Sequence, residues 1–265
     1  MTDSNLLSPE LLHAIGVFLV ALGVLMVAAH TSILALAALR TNLAASTRLV
    51  APLLAAAFLG AWLAWAVLAV REPVVVPAPA PVGLRAFQRP VLLLEMAAMF
   101  AAGIVTLYAS KTLRALNAAT PPEWLIAVQT YRVGGAIFLP FLAAGALPAR
   151  FALPAGIGDM LTGIAAPVVA LLVARKRPGA YAWAVAWNLF GIVDLVAAPI
   201  SSVLSHATNV GRFPLVLVPL FLGPPLGILT HIYSLRNLAV NSRGSVEAAG
   251  AKRRVSGRAV SGSLP

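Results

Sequence analysis

The chain has 265 residues, of which 60% are hydrophobic and only 10% are charged, and its mean hydropathy is +0.92. A soluble globular domain is about 45–50% apolar and about 25% charged, so this composition excludes a soluble fold for the chain as a whole. The formal net charge is +11, and the absence of Cys excludes disulfides, a thiol nucleophile and a thiolate metal site.

Seven apolar blocks follow one another along the chain. Most have the length of about 20 residues that an α-helix needs to cross roughly 30 Å of hydrocarbon. Residues 1–10 contain no Lys or Arg, so we expect the first block to be a retained helix and not a signal peptide. We therefore predict an all-α, polytopic transmembrane bundle over residues 1–234. Its spans fall at about 11–39, 49–70, 91–110, 124–147, 151–174, 180–200 and 213–234.

The connections between the blocks are polar or rich in proline. Residues 71–90 include a Val-Pro-Ala-Pro-Ala-Pro sequence, which favours a polyproline-type spacer. Residues 111–122 form a polar connection that ends in two prolines, and the five residues 175–179 make a short turn. The fifth and sixth spans are therefore expected to be antiparallel neighbours. From Leu235 the sequence is rich in Ser, Gly and Arg, which predicts a basic, disordered cytoplasmic tail over residues 235–265.

The basic residues predict the orientation, because cytoplasmic loops of membrane proteins are enriched in Lys and Arg. With the C-terminus inside, five basic residues lie outside: Arg71, Arg85, Arg89, Arg150 and Arg212. Thirteen then lie inside: Arg40, Arg48, Lys111, Arg114, Arg175, Lys176, Arg177, Arg236, Arg243, Lys252, Arg253, Arg254 and Arg258. We therefore expect an outside N-terminus and a basic tail against anionic lipid headgroups, where each Lys or Arg gains roughly 1 kcal/mol. Nucleic acid is not an expected partner.

A few polar side chains lie within the apolar blocks, where a charged group costs about 2.5–3.5 kcal/mol on insertion scales and usually serves a function. They are Glu95, Arg132, Asp159 and Asp194, with His30, Asn188 and His231 as weaker members. Helical rise places Glu95, Asp159 and Asp194 roughly 6, 12 and 9 Å from the outer surface, in one layer. Arg132 and Asn188 fall in a deeper layer, each about 12 Å from the cytoplasmic surface.

The two aspartates have similar sequence surroundings. Asp159 ends the sequence Gly156-Ile157-Gly158-Asp159, and Asp194 likewise follows Gly191 by three residues. Small residues on the same helix face allow a neighbouring helix to approach closely. We predict that Asp159 and Asp194 face each other across the interface between the fifth and sixth spans. The alternative is that each aspartate only packs helices together, capped by a backbone group or by Arg132.

Arg132 and the prolines lead to two further expectations. Arg132 lies close enough to the cytoplasmic boundary to reach lipid headgroups, but we predict that it faces the interior of the bundle. Gly223-Pro224-Pro225 predicts a kink or break in the seventh span, and Pro154 predicts an irregular start to the fifth, because proline removes a backbone donor within a helix.

The four residues Gly156–Asp159 resemble the Gly-x-Gly-Asp signature of intramembrane aspartyl proteases, the presenilin, signal-peptide-peptidase and prepilin-peptidase group. The resemblance implies a second carboxylate that faces the first and shares its proton. In those families the second aspartate lies on an earlier helix. Here the earlier intramembrane acid is Glu95, Asp194 comes later, and the expected Pro-Ala-Leu element is not found.

Two other resemblances concern the class of membrane protein. The stretches Arg150–Asp159 and Ala186–Asp194 resemble those of uncharacterised bacterial multi-pass inner-membrane proteins, which implies that location and no activity. Seven spans with an outside N-terminus are also typical of a rhodopsin. Retinal needs a Lys in the last span, and the segment Phe213–Ser234 has none, which excludes that class.

These observations favour binding or transport of a small solute or cation at an intramembrane acidic site. The alternatives are a non-catalytic membrane scaffold or partner subunit and, third, the aspartyl protease. No cofactor or metal site is expected, since the four His are scattered and no phosphate-binding loop occurs. The proposed ligand-binding residues are Asp159, Asp194 and Glu95, supported by Arg132, Asn188, Gly156, Gly158 and Gly191.

The charge distribution generates a topology prediction. A reporter fused after Ser242 should lie in the cytoplasm, and a reporter inserted near Ala80 should lie outside. Cysteine accessibility or enzymatic reporters in intact cells would measure this. If both reporters lay on the same side, the seven-span topology would be wrong.

Overall fold

The computed structural model describes residues 8–71, 90–145, 147–204 and 222–242, and these ranges contain helices and no strand. The all-α class predicted from the sequence is thus confirmed. The helices are α1 (Pro9–Ala38), α2 (Ala45–Arg71), α3 (Pro90–Ala109), α4 (Lys111–Ala119), α5 (Pro122–Ala127), a 3₁₀ segment (Val128–Ile137), α6 (Phe138–Ala143), α7 (Ala149–Ala174), α8 (Ala180–Leu204) and α9 (222–242).

Five described helical runs are long and apolar enough to cross a membrane. One of these runs joins α5, the 3₁₀ segment and α6. α3 has 20 residues from Pro90 to Ala109, but the side chains of several of them lie outside the described part of the chain, as do the first residues of the predicted seventh span. The described residues therefore contain five helices that can cross a membrane, and the count of seven stays a prediction. The five runs are Glu10–Ala38, Ala45–Leu68, Pro122–Ala143, Ala149–Ala174 and Ala180–Ala198.

Large apolar side chains cover much of the outer surface of the bundle. Leu25, Leu53, Val168 and Val193 are each more than half exposed. Contiguous exposed apolar surface is rare on soluble monomers and is the surface that lipid requires. The exposure thus agrees with the composition in placing these helices in a membrane.

Local sequence signals explain several helix ends. The Ser8 side chain accepts a hydrogen bond from the Leu11 backbone N–H at 3.2 Å, and Ser110 caps α4 in the same way. Gly179 ends the turn between α7 and α8 with a φ of +76°, a conformation that glycine adopts without steric cost. The polar connection 111–122 contains α4, a nine-residue helix that the sequence did not predict.

Proline disturbs these helices less than expected. α7 is helical without interruption from Ala149 to Ala174, so the irregular start predicted around Pro154 is wrong. Pro154 lies in the second turn, where it removes only one intrahelical hydrogen bond. The predicted kink at Gly223–Pro225 falls at the start of α9, and the residues before 222 lie outside the described ranges. α9 continues to residue 242, beyond the predicted end of the bundle at Ser234, and the tail after residue 242 is outside those ranges.

α7 lies at the centre of the bundle, against the 3₁₀ segment on one side and α8 on the other. Its buried face carries small residues, among them Ala155, Gly158, Thr162 and Gly163. A Cβ atom at Gly163 would lie 2.5 Å from the backbone nitrogen of Val133. Small residues thus bring the backbones of α7 and the 3₁₀ segment together, as in other membrane helix pairs.

This close approach predicts the effect of adding one methyl group. Gly163→Ala should lower the free energy of unfolding by about 1–3 kcal/mol, because the backbone it meets cannot rotate away. Gly60→Ala is the matched control, since a Cβ atom at Gly60 would have no neighbour within 4 Å. Thermal unfolding of both purified variants in detergent would measure the difference. Equal melting temperatures for the two variants would contradict the close packing.

Candidate functional site

Arg132 reaches the centre of the bundle from the 3₁₀ segment. This segment has ten residues, whereas 3₁₀ runs longer than three or four residues are uncommon. Side chains three residues apart are eclipsed in a 3₁₀ helix, so Gln129, Arg132 and Gly135 share one face. Gln129 and Arg132 are buried, and Gly135 lies against Asp159. This face of the 3₁₀ segment therefore presents Gln129 to the Gly227 carbonyl of α9 and Arg132 to α7, α8 and α9.

The guanidinium of Arg132 binds both intramembrane aspartates. Its Nε donates a hydrogen bond to Asp159 Oδ1 at 2.7 Å, and its Nη2 donates to Asp194 Oδ2. A third hydrogen bond runs from Nη1 to the Gly191 carbonyl at 3.3 Å. The side chain of Arg132 is 1% exposed, and those of Asp159 and Asp194 are 20% and 9% exposed. The prediction that Arg132 faces the interior of the bundle is confirmed.

His231 of α9 extends the polar contacts away from the aspartates. Arg132 Nη1 lies 3.1 Å from His231 Nε2, and since a guanidinium only donates, Nε2 accepts. His231 Nδ1 must then donate to Asn188 Oδ1, which is 2.9 Å away. Asn188 Nδ2 in turn donates to Ser234 Oγ at 3.1 Å. We refer to Arg132, Asp159, Asp194 and His231 as the Arg132 cluster.

Glycines make room for this cluster at three positions. A Cβ at Gly135 would overlap the Asp159 carboxyl group, and a Cβ at Gly158 would overlap that of Asp194. A Cβ at Gly191 would meet the His231 ring, with Arg132 Nη1 at 3.0 Å. Each glycine thus accommodates a side chain from another segment.

A small cavity of about 50 Å³ adjoins the cluster, lined by Asp159, Asp194, Arg132 and Tyr131 among others. A water molecule occupies about 30 Å³ in the liquid, so the cavity has room for water or a small ion. The hydroxyl oxygen of Tyr131 is buried and has no hydrogen-bond partner among the described residues, and the same holds for Gln129 Oε1. Within the described ranges, no group of three His, Asp or Glu is arranged to hold a metal ion.

The structure brings most of the predicted site residues together. Five of them meet directly, namely Asp159, Asp194, Arg132, Gly158 and Gly191. Asn188 joins them through His231. The exception is Gly156, where a Cβ atom would lie 3.0 Å from the Leu139 side chain of α6 and would meet no carboxylate. Glu95 lies on α3, but its side chain is outside the described part of the chain.

The prediction that the two carboxylates face each other needs one correction. Asp159 and Asp194 do converge between α7 and α8, but the Arg132 guanidinium lies between them and binds each one. The depth estimates used Cα positions and placed Arg132 in a deeper layer than the aspartates. Its long side chain spans the distance between the two layers. An aspartyl protease needs two carboxylates that share a proton directly, an arrangement that differs from this one.

Sequence reasoning missed Tyr131, Gln129 and Gly135, and it named His231 only as a weaker polar member of the apolar blocks and not as a site residue. Its i, i+3 spacing to Ser234 was the available signal, since both side chains point to one face of a helix. The alignment of Gln129, Arg132 and Gly135 had no sequence signal. An apolar block predicts an α-helix, whereas side chains three residues apart align fully only in a 3₁₀ helix.

The cluster predicts strong coupling between its members. Arg132→Met should destabilise the protein by about 3–5 kcal/mol, because it leaves two carboxylates without their counter-charge. Adding Asp159→Asn and Asp194→Asn to Arg132→Met should restore part of that loss, as expected for residues in one network. The exposed Arg150→Met is the control and should have little effect. Melting temperatures in detergent test this, and additive effects of the three substitutions would contradict the cluster.

The comparisons with known proteins give one family. No curated protein and no solved structure matches the chain. A family model described as Domain of unknown function (DUF8737) matches residues 89–239. The matched residues include all of the Arg132 cluster, whereas α1 and α2 precede them. Because the match covers more than half of the 265 residues, the chain belongs to the DUF8737 family.

Proposed function

We propose that the protein binds a small solute or cation within the membrane and moves it across, with Asp159 and Asp194 as the coupling site. The observation that carries this proposal is the pairing of two carboxylates with one buried guanidinium beside a small cavity. A charge inside a membrane span serves a function more often than not, and here three such charges converge.

The charges of the cluster do not balance. Arg132 supplies one positive charge, His231 accepts from it and is therefore neutral, and two ionised carboxylates supply two negative charges. An uncompensated charge at this depth is costly, and a proton or a small cation would neutralise it. When that ion leaves, Arg132 is the remaining counter-charge of the site. The cluster can therefore alternate between an occupied state and a state held by Arg132 alone.

The surroundings of the cluster supply the other parts that such a site needs. Tyr131 lines the cavity, and its hydroxyl has no hydrogen-bond partner among the described residues, so it is a free polar group near the site. Asp159 is the most exposed member of the three ion-paired residues, which gives a ligand access from that side. A 3₁₀ stretch within a longer helical run often marks a functional hinge, and the 3₁₀ segment lies between α5 and α6.

The finer parts of the topology belong to the same proposal. Seven crossings, an outside N-terminus and a bacterial inner membrane are supported by the apolar blocks and by the excess of Arg and Lys in alternate connections. Glu95 is proposed as a further acid in the outer layer on its sequence position alone. The basic tail is proposed to contact anionic headgroups.

A non-catalytic scaffold is the second candidate, and one observation favours it. The described hydrogen bonds of the Asp159 and Asp194 carboxylates run to Arg132, whose side chain is almost completely buried. A cluster of this kind can hold the 3₁₀ segment, α7 and α8 together with no ligand. In that case the charges specify the packing, as buried polar networks do in some proteins.

The test uses the purified full chain in liposomes that contain a pH-sensitive dye. Na⁺ and K⁺ gradients are imposed in turn while the internal pH is followed. The proposal predicts a cation-driven proton flux above that of protein-free liposomes. Asp159→Asn and Asp194→Asn should abolish this flux while the protein stays folded, because the amide keeps the shape of the carboxyl group.

Glu10→Gln is the control, because it replaces an exposed carboxylate with an amide away from the cluster. It should leave the flux unchanged. If wild-type protein moved no protons under either gradient, this coupling would be wrong. If both Asn variants failed to fold, the scaffold would be the better account.

A further inference from the structure

A second and much larger cavity lies between α2, α3 and α4, with α1 and α9 completing its wall. Its volume is about 730 Å³, within the range of roughly 300–1,000 Å³ typical of small-molecule sites. Thr230 and Tyr233 of α9 line it, whereas His231 of the same helix contacts Arg132. The cavity and the Arg132 cluster are therefore separate sites on neighbouring faces of α9.

The deeper part of the cavity is apolar and long. Along α2 the lining extends from Ser46 to Leu59, which corresponds to about 20 Å of helix at 1.5 Å per residue. One leaflet of a bilayer core is about 15 Å thick, half of the usual 30 Å. The walls of this part carry Leu54, Phe58, Met99 and Leu229. The length and the lining match an acyl chain that lies along the helices.

The other end of the cavity is polar. It lies where α2 and α4 begin, which is the predicted cytoplasmic side of the membrane. Hydroxyl groups of Ser46, Thr47, Ser110 and Thr112 belong to residues that line this end. A ligand with a polar group at one end of an apolar chain would match this polarity.

Asn117 lines the same end and has an unused donor. Asn237 Nδ2 donates to the Asn117 and Thr120 backbone carbonyls at 2.7 and 2.8 Å, which fixes the orientation of the Asn237 amide. The same nitrogen lies 3.2 Å from Asn117 Oδ1, so that oxygen faces Asn237. Asn117 Nδ2 then points away from Asn237, is buried, and has no partner among the described residues. A buried donor without a partner calls for an acceptor in the cavity.

Three basic residues are sequence neighbours of this polar lining and lie outside it, and one of them, Arg114, donates to the Tyr108 carbonyl. Arg48 follows the lining residue Thr47, Lys111 lies between Ser110 and Thr112, and Arg114 follows Leu113. Lys111 is exposed, and Arg48 and Arg114 are partly exposed. Positive charge beside hydroxyl and amide donors favours a phosphate-containing headgroup over an uncharged one.

We propose that this cavity binds an anionic phospholipid of the cytoplasmic leaflet. One acyl chain lies between α2, α3 and α9, and the phosphate group binds at the polar end beside Asn117 and the basic residues. The site is independent of the coupling proposed at Asp159 and Asp194.

The test is photocrosslinking of the full chain in liposomes with phosphatidylglycerol that carries a diazirine in the middle of one acyl chain. Peptide mass spectrometry should place the label on buried cavity residues such as Leu59, Met99 and Leu229. Ala55→Trp, which fills the cavity, should remove this label. Ala57→Trp is the matched control, because Ala57 is exposed on the same helix, and it should leave the label unchanged.

Headgroup selectivity gives a second measurement that does not depend on filling the cavity. Unlabelled phosphatidylglycerol should compete better than phosphatidylethanolamine, and Arg48→Gln should reduce that preference by about fivefold, the equivalent of one basic residue near an anionic surface. Arg175→Gln, an exposed basic residue away from the cavity, is the control. Three results would each overturn the proposal. They are label confined to outward-facing side chains, equal competition by the two lipids, and a second copy of the protein crosslinked at Leu54.

Discussion

The structure depends on one buried cation inside a membrane bundle. A buried guanidinium is stable only when counter-charges lie beside it and its N–H groups have hydrogen-bond acceptors, because bulk water does not solvate it. Arg132 obtains these from Asp159 on α7, from Asp194 and the Gly191 carbonyl on α8, and from His231 on α9. Four segments must therefore meet within one side chain's reach. The close packing of the bundle follows from that requirement.

The glycines and the 3₁₀ segment both allow the four segments to meet around Arg132. Gly135, Gly158 and Gly191 each leave space that a carboxyl group or an imidazole ring from another segment occupies. The 3₁₀ segment aligns Gln129, Arg132 and Gly135 on one face, which an α-helix would spread by about 60° per three residues. The backbone geometry and the small residues thus make the ion cluster possible, and the cluster in turn holds the helices together.

The sequence predicted much of this architecture because membrane insertion imposes simple rules. Apolar blocks of the right length identified the helices, and the cost of intramembrane charge singled out Asp159, Asp194 and Arg132. The number of spans stays a prediction, because parts of the third and seventh predicted spans lie outside the described residues. α4 was missed because it is a short amphipathic helix within a polar connection. His231 was noted as an intramembrane polar residue but not assigned to the site, because its partners come from distant parts of the chain and only the tertiary structure brings them together.

The central claim is that the Arg132 guanidinium is bound by both aspartates within the bilayer. Solid-state NMR of the full chain in lipid bilayers, with ¹⁵N-labelled Arg and ¹³C-labelled Asp, measures this directly through dipolar coupling. Variants that remove one aspartate at a time assign the signals. The account predicts coupling of Arg132 to Asp159 and to Asp194, at separations that agree with the 2.7 Å contact between Nε and Asp159 Oδ1. An Arg132 side chain that couples to lipid phosphorus and to neither aspartate would contradict it.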